Sequence, residues 1–120
     1  MKTSPIFLLA FATLTACQQQ EPIASAPAPV DLVAAHALAQ GACGGCHSVE
    51  AFALSPNPAA PDFASIANRP GINRETLLTW LRDAHNYPAE MDFWLEGGEA
   101  DQLTAYILSL RRAGYEPSIQ

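Results

Sequence analysis

Cys43, Cys46 and His47 lie within the run Cys43-Gly44-Gly45-Cys46-His47, and they carry the most specific chemistry in the sequence. Two thiols three positions apart can add to the two vinyl groups on one edge of a porphyrin. The adjacent histidine then lies under the ring, with its imidazole available to iron. Gly44 and Gly45 add no side-chain bulk, so the backbone can approach a macrocycle closely. The pattern C-x-x-C-H therefore points to one covalently bound haem c, with His47 as its first axial ligand. Half of a zinc site and a redox dithiol are the alternatives. A structural zinc needs four ligands, and no second C-x-x-C or H-x-H pair is present to complete the set. A thioredoxin-like dithiol follows a strand in a βαβ pattern, and none surrounds this motif.

A second axial ligand is sought among the remaining soft or nitrogenous side chains. Once Met1 is removed with the leader, Met91 is the methionine that remains, three positions after Pro88 in a loop between two expected helices. A lone methionine is otherwise a core filler. His85, at the end of the middle helix, is the rival, since imidazole also satisfies low-spin iron. Its plain alternative is a surface histidine stabilising a helix C-terminus. His36, inside the first helix, reads as structural or exposed. Trp80 and Trp94 read as core or cofactor-packing aromatics, and Trp80 could instead hydrogen-bond a propionate. Asp92, Glu96, Glu99 and Asp101 crowd the start of the last helix, where dipole complementarity and solvation account for them. They lack the regular alternation of a calcium loop.

The elements that must position these groups are helical. Asp31 can cap a helix running to about Gln40, with Leu32, Ala35 and Leu38 or Ala39 on one face and Gly41 ending or bending it. Pro56, Pro58 and Pro61 make the stretch from Ser48 to Pro61 a loop. A short helical turn is expected from Phe63 to Ala67, stopped by Pro70-Gly71. Asn73 can cap a middle helix with Glu75 in its first turn and Leu77, Leu78, Leu81 and Ala84 on one face, ended by Pro88. The last helix follows Gly97-Gly98. Leu103, Tyr106, Ile107 and Leu110 form its apolar stripe, and Arg111 and Arg112 suit its C-terminal end. No stretch alternates as a strand, so the expected fold is all-α, with three to five short helices around one haem. A domain near 90 residues has a modest core, which a buried porphyrin would extend.

The chain has 120 residues, ten prolines and a net charge of −6. That balance argues against nucleic acid and against a basic patch for anionic lipid. Residues 1–16 carry Lys2, an apolar run from Ile6 to Leu14 and then small residues. This reads as a secretory signal peptide, too short to span a bilayer stably. Its end, Leu14-Thr15-Ala16-Cys17, resembles a bacterial lipobox, in which the cysteine is acylated and becomes the mature N-terminus. Several acyl chains would hold the protein on a membrane. An ordinary cleaved signal is the alternative. Gln18 after the cysteine resembles lipoproteins sorted to the outer membrane. Residues 17–29, rich in Pro, Ala and Gln, read as a tether from Cys17, and residues 30–120 as the folded domain. The expected location is the bacterial periplasmic space, where c-type haem is attached.

From Leu32 to Arg112 the chain resembles a small class I cytochrome c. That family has an N-terminal helix, C-x-x-C-H, a proline-bearing loop, a middle helix, a Pro-then-Met loop and a C-terminal helix crossing the first. Ala60-Pro61-Asp62-Phe63 resembles the segment whose proline carbonyl accepts a hydrogen bond from the proximal imidazole, which assigns that role to Pro61. Arg69 falls where the family often has an arginine near a haem propionate. Trp80 and Leu81 fall on the distal side, and Leu103 to Arg111 resembles the terminal helix, with Tyr106 at the crossing. Met91 is followed by Asp92 where many relatives have proline. The resemblance implies a one-electron carrier, not itself an enzyme, with His47 and Met91 on iron and redox proteins as partners. A haem-based gas sensor and a subunit of a larger membrane oxidoreductase are the other readings.

Overall fold

Helix α1 (Leu32–Cys43) begins at Asp31, whose Oδ1 accepts from the backbone N–H groups of Val33 at 2.9 Å and Ala34 at 3.2 Å. Those donors have no partner within the helix, and losing such a cap costs about 0.5–2 kcal/mol. The computed structural model describes residues 29–84, 89–92 and 94–117. The expected signal peptide, Cys17, most of the tether, His85, Asn86, Tyr87 and Pro88 lie outside the described residues.

After α1 come α2 (Phe63–Ala67), α3 (Arg74–Thr79), a π-helical turn (Trp80–Ala84), a 3₁₀ turn (Ala89–Met91) and α4 (Glu99–Ser109). Among the described residues there is no strand, and the fold is all-α as expected. No described helix is long and apolar enough to cross a membrane. Helices α1 and α4 pack on one another, as do α4 with α2 and α4 with α3. Ala35 and Ala39 of α1 are fully buried, as are Leu103 and Ile107 of α4 to within 2%. Small side chains on one helix let branched ones on the other approach closely. Burial of each leucine or isoleucine contributes about 1.5–3 kcal/mol.

Each local start has a physical cause. Asn73 and Thr76 form a reciprocal capping box at α3, with Thr76 N–H donating to Asn73 Oδ1 at 2.9 Å and Asn73 N–H to Thr76 Oγ1 at 3.0 Å. Asp62 caps α2 through the Ser65 N–H at 2.8 Å. Gly71 ends the turn after α2 with φ +80°, a conformation that glycine adopts without strain.

Several expectations are corrected. Gly41 does not end α1, which continues two residues further and carries Cys43 on its last turn. Leu32 is 46% exposed, so the buried stripe starts at Ala35. Regular α-helix stops at Thr79, and one π turn carries the chain on to Ala84. Arg111 and Arg112 do not serve the end of α4. Arg111 donates to the carbonyls of Ala67 (3.0 Å) and Ile72 (2.7 Å), and Arg112 to that of Ala51 (3.1 Å), so they tie the chain leaving α4 to the end of α2 and to earlier loops. Trp94 is no core aromatic, being 90% exposed.

Candidate functional site

The end of α1 turns sharply into the C-x-x-C-H run. Gly44 N–H donates to Gln40 O at 3.2 Å, and the N–H groups of Cys46 and His47 both donate to Cys43 O, at 3.1 and 2.9 Å. A Cβ on Gly44 would lie 2.5 Å from the Gln40 carbonyl oxygen, whereas one on Gly45 would meet no protein atom within 4 Å. Gly44 is therefore required by the helix's own backbone, and only Gly45 fits the expectation of open access.

The loop that follows folds back on this turn. Asn57 N–H donates to Cys46 O (3.1 Å), Ser48 N–H to Ser55 Oγ (3.0 Å), and Phe63 N–H to Ser48 O (2.9 Å). These bonds bring Pro61 beside His47, whose Nδ1 lies 2.7 Å from the Pro61 carbonyl oxygen. A carbonyl only accepts, so Nδ1 carries the proton and the neutral ring keeps its lone pair on Nε2. That tautomer can bind a metal, and the hydrogen bond fixes which nitrogen is free to do so. The Phe63 ring lies against His47, with centroids 5.7 Å apart and planes tilted by 45°.

These groups face one cavity of about 290 Å³. Cys43, Cys46, His47 and Pro61 line it, with Phe63 and Ile66 of α2, Leu77 of α3, Trp80 and Leu81 of the π turn, and Leu103 and Ile107 of α4. Met91 reaches it from the 3₁₀ turn. Arg69 is not brought to the cavity: it is exposed, and its backbone is spent on the turn after α2, bonded to Ile66 and Ile72. His36 is half-buried and bonded to Glu50 at 2.8 Å. The sequence reading missed Phe63 as a neighbour of His47, because that contact depends on how the proline loop closes.

Cys43 and Cys46 form no disulfide. Burial, reinforced by the nearby Cys46, pushes the Cys43 thiol up to about 11. Such a position disfavours thiolate, whereas a thioether sulfur has no charge to desolvate. Among the described residues no three His, Cys, Asp or Glu side chains gather to hold a metal ion, so the zinc alternative finds no further ligands there. Two thiols and a lone-pair imidazole nitrogen beside an apolar, aromatic-lined space fit a covalently attached porphyrin. A thioether reaching the same space adds a soft donor suited to iron.

A protein named cytochrome c-552 from Bradyrhizobium diazoefficiens is 39% identical to the chain over 74 residues, spanning 62% of this chain and 69% of the relative. The chain belongs to the c-type cytochromes. Its cofactor is covalently bound haem c, and its chemistry is haem-based electron transfer. No family model matches this cytochrome, and no solved structure does.

Proposed function

We propose that this cytochrome is a one-electron carrier, not itself an enzyme, with His47 and Met91 as the two axial ligands and thioethers at Cys43 and Cys46. The observation that carries the reading is that the His47 imidazole and the Met91 side chain line one cavity with mainly apolar walls. The bound haem supplies the Fe(III)/Fe(II) couple. The protein's part is to hold and to exclude. The Pro61 carbonyl keeps the Nδ1 proton in place, so Nε2 is the nitrogen that would hold the iron. Leu77, Leu81, Leu103 and Ile107 keep water from the ligands. With His47 and Met91 both holding the iron, no site would remain there for a substrate.

The same proposal places the domain outside the cytoplasm, held to a membrane through acylated Cys17 and exchanging electrons with redox proteins. The sequence at residues 14–17 supports it, as does the bacterial site of haem c attachment. Metabolic labelling with a fatty acid should mark the wild type and spare Cys17→Ser. An unlabelled wild type ends the anchor reading.

Optical spectroscopy and carbon monoxide test the carrier reading. The oxidised protein should show the weak red charge-transfer band of thioether-ligated ferric haem, and the reduced protein should resist carbon monoxide. Ready binding of carbon monoxide without that band would favour the gas-sensor reading.

A further inference from the structure

We propose that Phe63 is a positioning residue for His47: its buried ring fixes the plane of the imidazole and so sets the orientation in which that ligand meets the iron. This rests on the reading of His47 as an axial ligand. The imidazole can turn about its own Cβ–Cγ bond, and a hydrogen bond at one edge tolerates a range of such angles. The Pro61 carbonyl, 2.7 Å from Nδ1, restrains that edge of the ring. A further restraint is the Phe63 ring, 5.7 Å away between centroids and tilted by 45°, within the range of a favourable aromatic pair.

Phe63 cannot step aside easily. It is 4% exposed, and it is the first residue of α2, which Asp62 caps. Its N–H is bonded to the carbonyl of Ser48, the residue next to His47, and the Ser48 N–H is itself held by Ser55 Oγ. The segments 47–48 and 61–63 are thus joined by two rungs in opposite senses, His47 to Pro61 and Phe63 to Ser48. Imidazole, acceptor and plate form one unit, and both rings line the cavity.

Proton NMR on the full-length haem-loaded protein reads this directly. In the oxidised state, the order and spread of the hyperfine-shifted haem methyl resonances follow the plane of the axial imidazole together with the orientation of a thioether ligand, so a Met91 methyl signal kept at its wild-type shift isolates the imidazole. Phe63→Leu should change that pattern. Thr104→Val, which alters the buried side of α4 without touching the cavity lining, should leave it as in the wild type. If Phe63→Leu keeps the wild-type pattern, the proposal is overturned. Should that variant fail to fold, the reduced wild type still decides. Its His47 ring protons should be strongly shifted by the porphyrin and show cross-peaks to the Phe63 ring. Shifted His47 signals without those cross-peaks overturn the role of Phe63 alone. Unshifted His47 signals overturn ligation by His47 and the proposal with it.

Discussion

The Tyr106 hydroxyl on α4 donates to the backbone carbonyl of Val49 at 2.8 Å, across 57 positions of sequence. Val49 lies two residues after His47, so this bond ties the last helix to the chain leaving the haem motif. Both residues are buried. The Tyr106 ring also lies against His36, with centroids 5.3 Å apart, and His36 is bonded to Glu50 in the same loop.

Tyr106→Phe should destabilise the fold by about 1–3 kcal/mol, because it leaves a buried carbonyl without its donor. Chemical denaturation at neutral pH measures the loss. A pH dependence follows from the same burial. Burial first, and then the Glu50 carboxylate, raises the ionisation of Tyr106 above its ordinary value of 10.0. Below about pH 10 the phenol is protonated in both the folded and unfolded states. Above it the unfolded chain ionises first, so the stability tied to this proton declines as pH rises. The gap between wild type and Tyr106→Phe should narrow in that window. A gap that stays constant on the alkaline side would show that Tyr106 is not the group involved.

Gly44 and Gly45 should respond differently to alanine. At Gly44 the new methyl would lie 2.5 Å from the Gln40 carbonyl oxygen, so the turn must open and the bond from Gly44 N–H to Gln40 weakens. Overpacking of this kind costs about 1–3 kcal/mol. Gly44→Ala should lower both the denaturation midpoint and the yield of covalent haem per polypeptide. Gly45→Ala meets no such protein atom within 4 Å, so the clash that penalises Gly44→Ala is absent there. Equal losses in the two variants would show that the Gln40 carbonyl is not what makes Gly44 necessary.

The haem motif was legible because its chemistry depends on spacing within five residues. The caps at Asp31 and Asn73 were legible for the same local reason. What the sequence did not disclose depends on tertiary contacts. Gly41 is a plausible helix end by propensity, yet burial of Ala39 against α4 and the turn at Gly44 carry α1 past it. Leu77 and Leu81 keep their apolar spacing across the start of the π turn, which therefore leaves no mark in the pattern. Arg111 looks like a partner for its own helix end until the fold brings the Ala67 and Ile72 carbonyls to it. The contact between Phe63 and His47 needs the whole proline loop to close. Trp94 shows the limit of composition, since an aromatic residue is a core candidate only until its exposure is known.

Asp101 gives a prediction of modest size and clear salt dependence. Each of its carboxylate oxygens accepts from a different arginine at 2.5 Å, Arg74 of α3 and Arg82 of the π turn. One side chain of α4 thus holds both halves of the middle helix. The pairs are partly exposed, so each contributes about 0.2–1 kcal/mol. Asp101→Asn should lower stability by an amount of that order at low salt. The difference from wild type should shrink near 1 M salt, where the screening length falls to about 3 Å. A loss that is the same at both ionic strengths would assign the effect to packing at the start of α4.

Met91 decides between carrier and sensor. A thioether is a neutral, soft ligand that favours Fe(II), so Met/His ligation raises the haem potential. Met91→Ala should lower the potential in an equilibrium redox titration, abolish the red charge-transfer band and open the iron to carbon monoxide. Met91→His should return six-coordinate low-spin iron, at a potential below that of the wild type. A methionine that only fills space would behave otherwise. Its removal would cost about 2–5 kcal/mol of stability and leave spin state and potential where they were. Half-burial at the cavity wall is compatible with either role, so stability alone cannot separate them. The potential and the carbon monoxide reaction can. If both are unchanged in Met91→Ala, Met91 is packing, and the sensor reading, or ligation by His85, takes its place.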